Sequence, residues 1–208
     1  MYTRNLKKST VKNIHTFASK KCDGMMVLES SLEYDACFHF EFSKQIVMFE
    51  PQPIGFHYKL YGQVRSYTPD FLVTFNNEEQ IFYEVKPLCK TESEEFDIEF
   101  RAKQAAAHNL GIELELITEK EIRVKPLIDN LKLLHRYHRL EQELTPFQKQ
   151  ILKLVTCAEN LTLSYLIDNT QSSFSKIIPH IADLLAKGVL ESNLLNPLEL
   201  DSTLHAYG

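Results

Sequence analysis

Glycine and proline are scarce in this sequence, six and eight of 208 residues, so long flexible linkers are not expected. Cysteine is scarce as well. Cys22, Cys37, Cys89 and Cys157 stand far apart, with no CxxC pair and no zinc-knuckle spacing, and in a reducing compartment they are plain thiols. No apolar run approaches the roughly 20 residues that cross a bilayer. The basic N-terminus is followed by no apolar segment, which sets a secretory signal aside. The expectation is a soluble, intracellular protein with no membrane role. Acid is missing from residues 1–21, which carry Arg4, Lys7, Lys8, Lys12, Lys20 and Lys21. That arm is either a DNA contact or a solvated tail, and charge alone does not choose between them.

What is present suits a globular protein. Apolar residues make up 44%, and 13 Phe with 9 Tyr supply bulk for a core. The length fits one medium domain, alone or with a small appendage. The net charge of -5 is awkward for a DNA enzyme, since non-specific DNA affinity comes from Lys and Arg neutralising phosphates. A basic arm on an acidic body suggests weak DNA binding alone, with partners supplying the rest.

Local signals give an order of elements. Ser30-Ser31-Leu32-Glu33 has the form of a capping box, so a helix is expected to about residue 42 with Leu32, Ala36, Cys37 and Phe40 inward. Strand-like stretches follow at 45–49 and 54–61. The apolar runs 71–75 and 81–85 flank the polar turn Asn76-Asn77-Glu78-Glu79-Gln80, a hairpin signal. Residues 94–110 read as a helix stopped by Gly111, 112–117 as a strand, and Thr118-Glu119-Lys120-Glu121 as a second capping box. Pro126 suits the start of a helix running to about 141. A domain boundary is expected there, giving 1–141 and 142–208. Thr145-Pro146-Phe147-Gln148 then opens a new helix, followed by 161–168, by 173–187 with Pro179 expected to kink it or reset its start, and by a strand-like 188–192. Three helices and a strand-like turn suggest a winged-helix-like module. From Thr145 onward four Lys/Arg stand against six Asp/Glu, which suits gripping a protein better than reading DNA.

The chemistry lies in the hairpin. Glu84 and Lys86 are two apart on a strand and share a face, with Val85 on the other. If 71–75 pairs antiparallel with 81–85, Asp70 lies beside both. Two acids and a lysine then meet at one sheet end, and the mutual repulsion of the acids favours a divalent cation between them. Phosphodiester hydrolysis needs an in-line water, neutralised phosphate charge and a stabilised leaving oxyanion. Carboxylate-held magnesium can serve all three, and a lysine can orient the water. Each residue also has a plainer reading: Asp70 as a turn residue after proline, Glu84 and Lys86 as a solvated strand face, Glu33 as a helix cap. Taken together, the order Glu … Pro-Asp … Glu-Val-Lys is much less common by chance.

That order resembles the PD-(D/E)xK nuclease superfamily, with Pro69-Asp70 followed fourteen positions later by Glu84-Val85-Lys86. A longer series looks like TnsA, the endonuclease subunit of heteromeric transposases found in cut-and-paste elements and CRISPR-associated transposons. The series comprises Glu29-Ser30-Ser31-Leu32-Glu33, Phe49-Glu50-Pro51-Gln52-Pro53, Tyr67-Thr68-Pro69-Asp70-Phe71-Leu72-Val73, Tyr83-Glu84-Val85-Lys86-Pro87, Gly111-Ile112 and Ile117 through Ile122, spanning roughly residues 25–125. The resemblance implies an α/β restriction-endonuclease-like mixed sheet flanked by helices. It implies Mg2+, one or two ions with Mn2+ as substitute, held by Glu33, Asp70, Glu84 and the Val85 backbone carbonyl, with Lys86 as the catalytic lysine. Gln52 would support the site or form a structural turn. It further implies cutting of the 5′ strand at transposon ends, in the bacterial cytoplasm. The partners would be a DDE-type transposase (TnsB) and an AAA+ ATPase (TnsC), the latter through the C-terminal module. Lys103 and Gln104, on the 94–110 helix, could reach the site, where nucleases of that superfamily often place a polar helix residue; a solvated helix face is the expectation preferred here.

Three other functions compete. A stand-alone restriction or repair nicking enzyme would bind DNA tightly by itself, against which the net charge argues. A non-catalytic assembly subunit would have no need of clustered acids. A winged-helix regulator using 173–187 as its recognition helix would need more Lys and Arg there.

Overall fold

In the computed structural model, which describes residues 14–22, 24–138, 143–158 and 161–207, the chain divides into two compact units between Val124 and Lys125. The first is built on a mixed four-stranded sheet of order β3-β6-β7-β8, from β3 (Ile46–Pro51), β6 (Phe71–Phe75), β7 (Gln80–Val85) and β8 (Glu113–Ile117). β3 and β7 both run antiparallel to β6 between them, and β8 joins β7 in parallel. Two separate hairpins complete the strands: β1 (His15–Ala18) with β2 (Met25–Leu28), and β4 (Phe56–Leu60) with β5 (Gln63–Tyr67). The helices are α1 (Ser31–Phe42), α2 (Glu94–His108) and the short α3 (Glu119–Ile122). This mixed α/β architecture is consistent with the expected restriction-endonuclease-like fold.

The period-2 alternation of the strands decides which helix covers which face. Phe71 and Val73 on β6 are fully buried, and Phe71 meets Phe40 of α1 edge-on at 5.2 Å between ring centres. Phe40 also touches Phe49 of β3 and Tyr83 of β7. The other face, carrying Phe82 and Leu114, packs with Phe56, Tyr58, Leu60 and Tyr67 of the β4–β5 hairpin and with Phe100 and Ala107 of α2. Each such Phe contributes about 1.5–3 kcal/mol by leaving water. The β4–β5 turn is Tyr61-Gly62, both at positive φ (+50° and +76°), the geometry of a tight hairpin whose twist matches its strands. Gly111 ends α2 at φ +79°, where the sequence places a glycine stop.

The second unit holds α4 (Leu127–Tyr137), α5 (Pro146–Thr156), α6 (Leu163–Thr170) and α7 (Phe174–Ala186). A small antiparallel sheet of order β10-β11-β9 joins Leu190–Glu191, Thr203–Ala206 and Leu161–Thr162. The sequence reading groups the helix after Pro126 with residues 1–141; in the structure α4 lies within the second unit and packs on α7. The Thr145 capping box forms with both of its reciprocal hydrogen bonds. Pro179 does not reset α7, which starts at Phe174 and continues through the proline. The buried Ile177, Ile178, Ile181 and Leu184 bind both sides of Pro179 to the core and offset its missing N–H. Among the described residues no helix is long and apolar enough to cross a membrane.

One buried polar group anchors this unit. Asp183 on α7 accepts from Gln148 Nε2 of α5 at 2.7 Å and pairs with Lys187 Nζ at 2.7 Å. Removing the carboxylate strands a buried amide and a nearly buried ammonium. Asp183→Ala should therefore lose about 3–5 kcal/mol in urea unfolding, and Asp183→Asn, which keeps an acceptor, clearly less. A loss under about 1 kcal/mol for the alanine variant would show that the network is not an anchor.

Candidate active site

The β6–β7 register sets the site. Phe71 lies opposite Tyr83, so Asp70 and Glu84, one step further, lie opposite each other on one face. Asp70 is fixed at both ends of its backbone: its N–H donates to the Tyr83 carbonyl at 3.0 Å, and its carbonyl accepts from the Gln52 N–H at 2.8 Å. Gln52 itself sits at φ +48°, so it acts as a structural turn holding Asp70 in place. The Asp70 Oδ2 accepts from the Val85 N–H at 2.8 Å. Lys86 donates its N–H to the Ile117 carbonyl of β8 at 3.1 Å, which fixes the strand end from the other side.

Glu84 is 4% exposed, and both its oxygens are engaged. The Tyr67 hydroxyl donates to Oε2 at 2.5 Å, and the Lys86 ammonium stands 2.7 Å from Oε1. Glu33, in the first turn of α1, accepts from the Glu29 N–H at 3.1 Å and the Ser30 hydroxyl at 2.7 Å, while Ser30 Oγ caps the Glu33 N–H. Glu33 thus orders its own helix start and also faces the site. Glu33, Asp70, Val85, Lys86, Lys90 and Arg123 line one open cleft of about 520 Å³. Glu84 stands behind that lining.

The electrostatics follow from this crowding. Burial, and then the Glu84 charge, push the Asp70 carboxyl up to about 7, while the Val85 N–H and Lys86 pull the other way. Burial lowers the Lys86 ammonium, but Glu84, Asp70 and Glu33 together outweigh it and hold the group above its ordinary value. Lys86 is accordingly a cation. Among the described residues, no three His, Cys, Asp or Glu side chains form a ready-made metal cage. The donor chemistry is nonetheless that of a hard cation: carboxylate oxygens beside Val85 at the cleft, with an excess of negative charge.

Residues 43–119 match the family model described as TnsA-like endonuclease N terminal. This stretch is a TnsA-type endonuclease domain. No curated protein sequence matches the chain. The matched stretch of the TnsA-type domain contains Asp70, Glu84 and Lys86, and Glu33 precedes it. Of the sequence-predicted site residues, the structure brings Glu33, Asp70, Val85 and Lys86 to the cleft and places Glu84 against Lys86. Arg4, Lys7, Lys8 and Lys12 of the basic arm lie outside the described residues. Lys20 is exposed. Lys21 is turned inward, its ammonium donating to the carbonyls of Phe40 and Ser43 at the end of α1, a helix-capping task.

Sequence reasoning favoured the wrong surroundings for Lys103 and Gln104 and gave no sign of Arg123. Lys103 is not on a solvated face: its side chain is 13% exposed, paired with Glu99 at 2.9 Å and set 4.6 Å from the Tyr67 ring centre. Gln104 donates to the Leu114 carbonyl at 2.9 Å and ties α2 to β8. Arg123 reaches the cleft while paired with Asp35 at 2.7 Å. Nothing local in the sequence marks it, because its place depends on α1 meeting α3.

The raised Asp70 carboxyl has a stability consequence. Its folded value near 7 exceeds the ordinary 3.8, so the folded state holds the extra proton between those values, and metal-free stability falls as pH rises from 4 to 7. Asp70→Asn keeps an acceptor for Val85 and removes the charge. In metal-free urea unfolding the variant should gain roughly 2–4 kcal/mol over wild type above pH 7 and little below pH 4. An advantage that is the same at both pH values would rule out repulsion as its source.

Proposed function

We propose that this chain is a magnesium-dependent DNA endonuclease that cuts the 5′ strand at transposon ends during cut-and-paste transposition. The observation that carries this reading is the convergence of Glu33, Asp70 and Lys86 on one cleft within or beside a TnsA-like endonuclease domain. Glu33, Asp70 and the Val85 carbonyl are the ligands the reading assigns to Mg2+, or to Mn2+ as substitute. Once bound, such an ion neutralises phosphate charge and activates water.

The protein's own groups do the rest. Lys86, held protonated by the acids around it, orients the attacking water and meets negative charge growing on the phosphate. Lys90 and Arg123, at the same cleft, face the flanking phosphates. Hydrolysis leaves 5′-phosphate and 3′-hydroxyl ends. In the second unit the order helix α5, strand β9, helices α6 and α7, strands β10 and β11 supports a winged-helix-like module. Its excess of acid over base supports docking to an AAA+ regulator rather than to DNA. A DDE-type partner transposase would cut and join the 3′ strand.

The test is nicking of transposon-end DNA with Mg2+, with and without the partner transposase. Asp70→Ala and Lys86→Ala should each fall at least about 100-fold below wild type, while retaining wild-type circular dichroism. Equal activity in all three proteins would remove the assignment.

A further inference from the structure

We propose that Asp35 and Glu119 are positioning residues that turn Arg123 and Lys90 into a preset clamp for the DNA backbone beside the cut. Such a clamp rests on the nuclease reading above for the nature of its ligand.

Both cations take their place from α3. Arg123 follows that helix directly, its N–H donating to the Glu119 carbonyl at 2.9 Å. Its guanidinium reaches across to α1: Nε donates to the buried Asp35 carboxylate at 2.7 Å, and Nη2 to the Ser31 hydroxyl at 3.1 Å. One residue earlier, the His39 imidazole of α1 bonds the Ile122 carbonyl at 2.7 Å, which pins the end of α3 to α1 a second time. Lys90 stands on the short turn Leu88–Lys90 that follows β7. The Leu88 N–H of that turn donates at 2.8 Å to Oε2 of Glu119, in the first turn of α3. One short helix thus fixes the guanidinium and the turn that bears the ammonium, and both cations line the cleft that holds Glu33 and Asp70.

The Arg123–Asp35 pair is unequal. The Asp35 side chain is 8% exposed and that of Arg123 45%, so the carboxylate is sunk in the protein while the guanidinium stands half in water at the cleft. Nε and Nη2 each spend one N–H on α1, out of the five a guanidinium carries. A planar guanidinium whose orientation is already set loses less freedom when it takes up a phosphate. Phosphate contacts in turn fix where a strand lies without reading its sequence. Asp35 and Glu119 are acids at the edge of a site for a polyanion. By charge alone, removing either should tighten DNA binding. As positioning residues they do the reverse, because without them the cations keep their charge and lose their aim.

That difference in sign is the test. Affinity of the full chain for a transposon-end duplex is read by fluorescence anisotropy, with Ca2+ in place of Mg2+ so that binding is seen apart from cutting. Arg123→Gln and Lys90→Gln should each weaken binding about tenfold and make log affinity against log salt shallower by about one. Asp35→Ala and Glu119→Ala should each weaken binding about threefold and leave the slope unchanged, since no cation is lost. Asp35→Asn, which keeps an acceptor for Arg123, should fall between Asp35→Ala and wild type. Circular dichroism checks the fold, and Glu119→Ala decides alone if the buried Asp35→Ala does not fold. Unchanged or tighter binding in the folded alanine variants would overturn the proposal, as would a wild-type salt slope in Arg123→Gln. If wild type cuts DNA and these binding effects are missing, the clamp falls and the nuclease reading stands. If the binding effects appear but wild type cuts no DNA with Mg2+ and the partner transposase, the nuclease reading fails and the clamp remains as a DNA-binding site.

Discussion

Two carboxylates placed opposite each other on adjacent strands govern this unit. Asp70 and Glu84 share a face at the end of β6 and β7, where two negative charges repel each other. Help arrives from different directions. The Val85 N–H satisfies Asp70, the Tyr67 phenol and the Lys86 ammonium satisfy Glu84, and Glu33 adds a third negative charge across the cleft. The balance stays unfavourable at Asp70, whose carboxyl is pushed up to about 7 by burial and by Glu84. A fold that retains such a site has given up stability at one sheet end, a common mark of a functional site.

The surrounding architecture follows from the need to hold that end rigid. The central strand β7 is gripped on one side by β6 and on the other by the parallel β8. The Phe40–Phe71 contact seats α1, so that its first turn delivers Glu33. On the opposite face α2 and the β4–β5 hairpin pack over Phe82, and their boundary is where Tyr67 and Lys103 meet. Each face of the sheet therefore supplies one half of the site: α1 the acid at the cleft, the hairpin the support beneath the lysine.

How much of this could be read beforehand depended on whether the signal was local. The β6–β7 hairpin was legible because two apolar runs flank a polar turn, and the pairing of Asp70 with Glu84 and Lys86 followed from strand alternation alone. Helix α1 was legible from Ser30 and Glu33, and the end of α2 from Gly111. β5 was not, because four of its five residues are exposed and no apolar alternation exists to be seen. Tyr67 was quoted in the family series, but its role appears only when β5 folds back on β4 and brings Tyr67 opposite Phe56. Lys103 looked like an ordinary polar residue on a helix surface; what buries it is the hairpin, forty residues away in sequence. The position of α4 was misjudged for a related reason: its apolar stripe is visible, but the partner that covers it, α7, is fixed only by packing.

A net charge of -5 and a DNA substrate are compatible once the charge is located. Glu33, Asp70 and Glu84, gathered at one sheet end, account for part of the excess. The cations stand where a polyanion would approach: Lys86, Lys90 and Arg123 border the same cleft. Such an arrangement gives little long-range attraction, because the fields of mixed charges cancel within a Debye length of about 8–10 Å. Productive binding then depends on contact at the cleft rather than on steering from a distance. Mixed charge at a cleft of this kind favours short-range contact over capture of a polyanion at random.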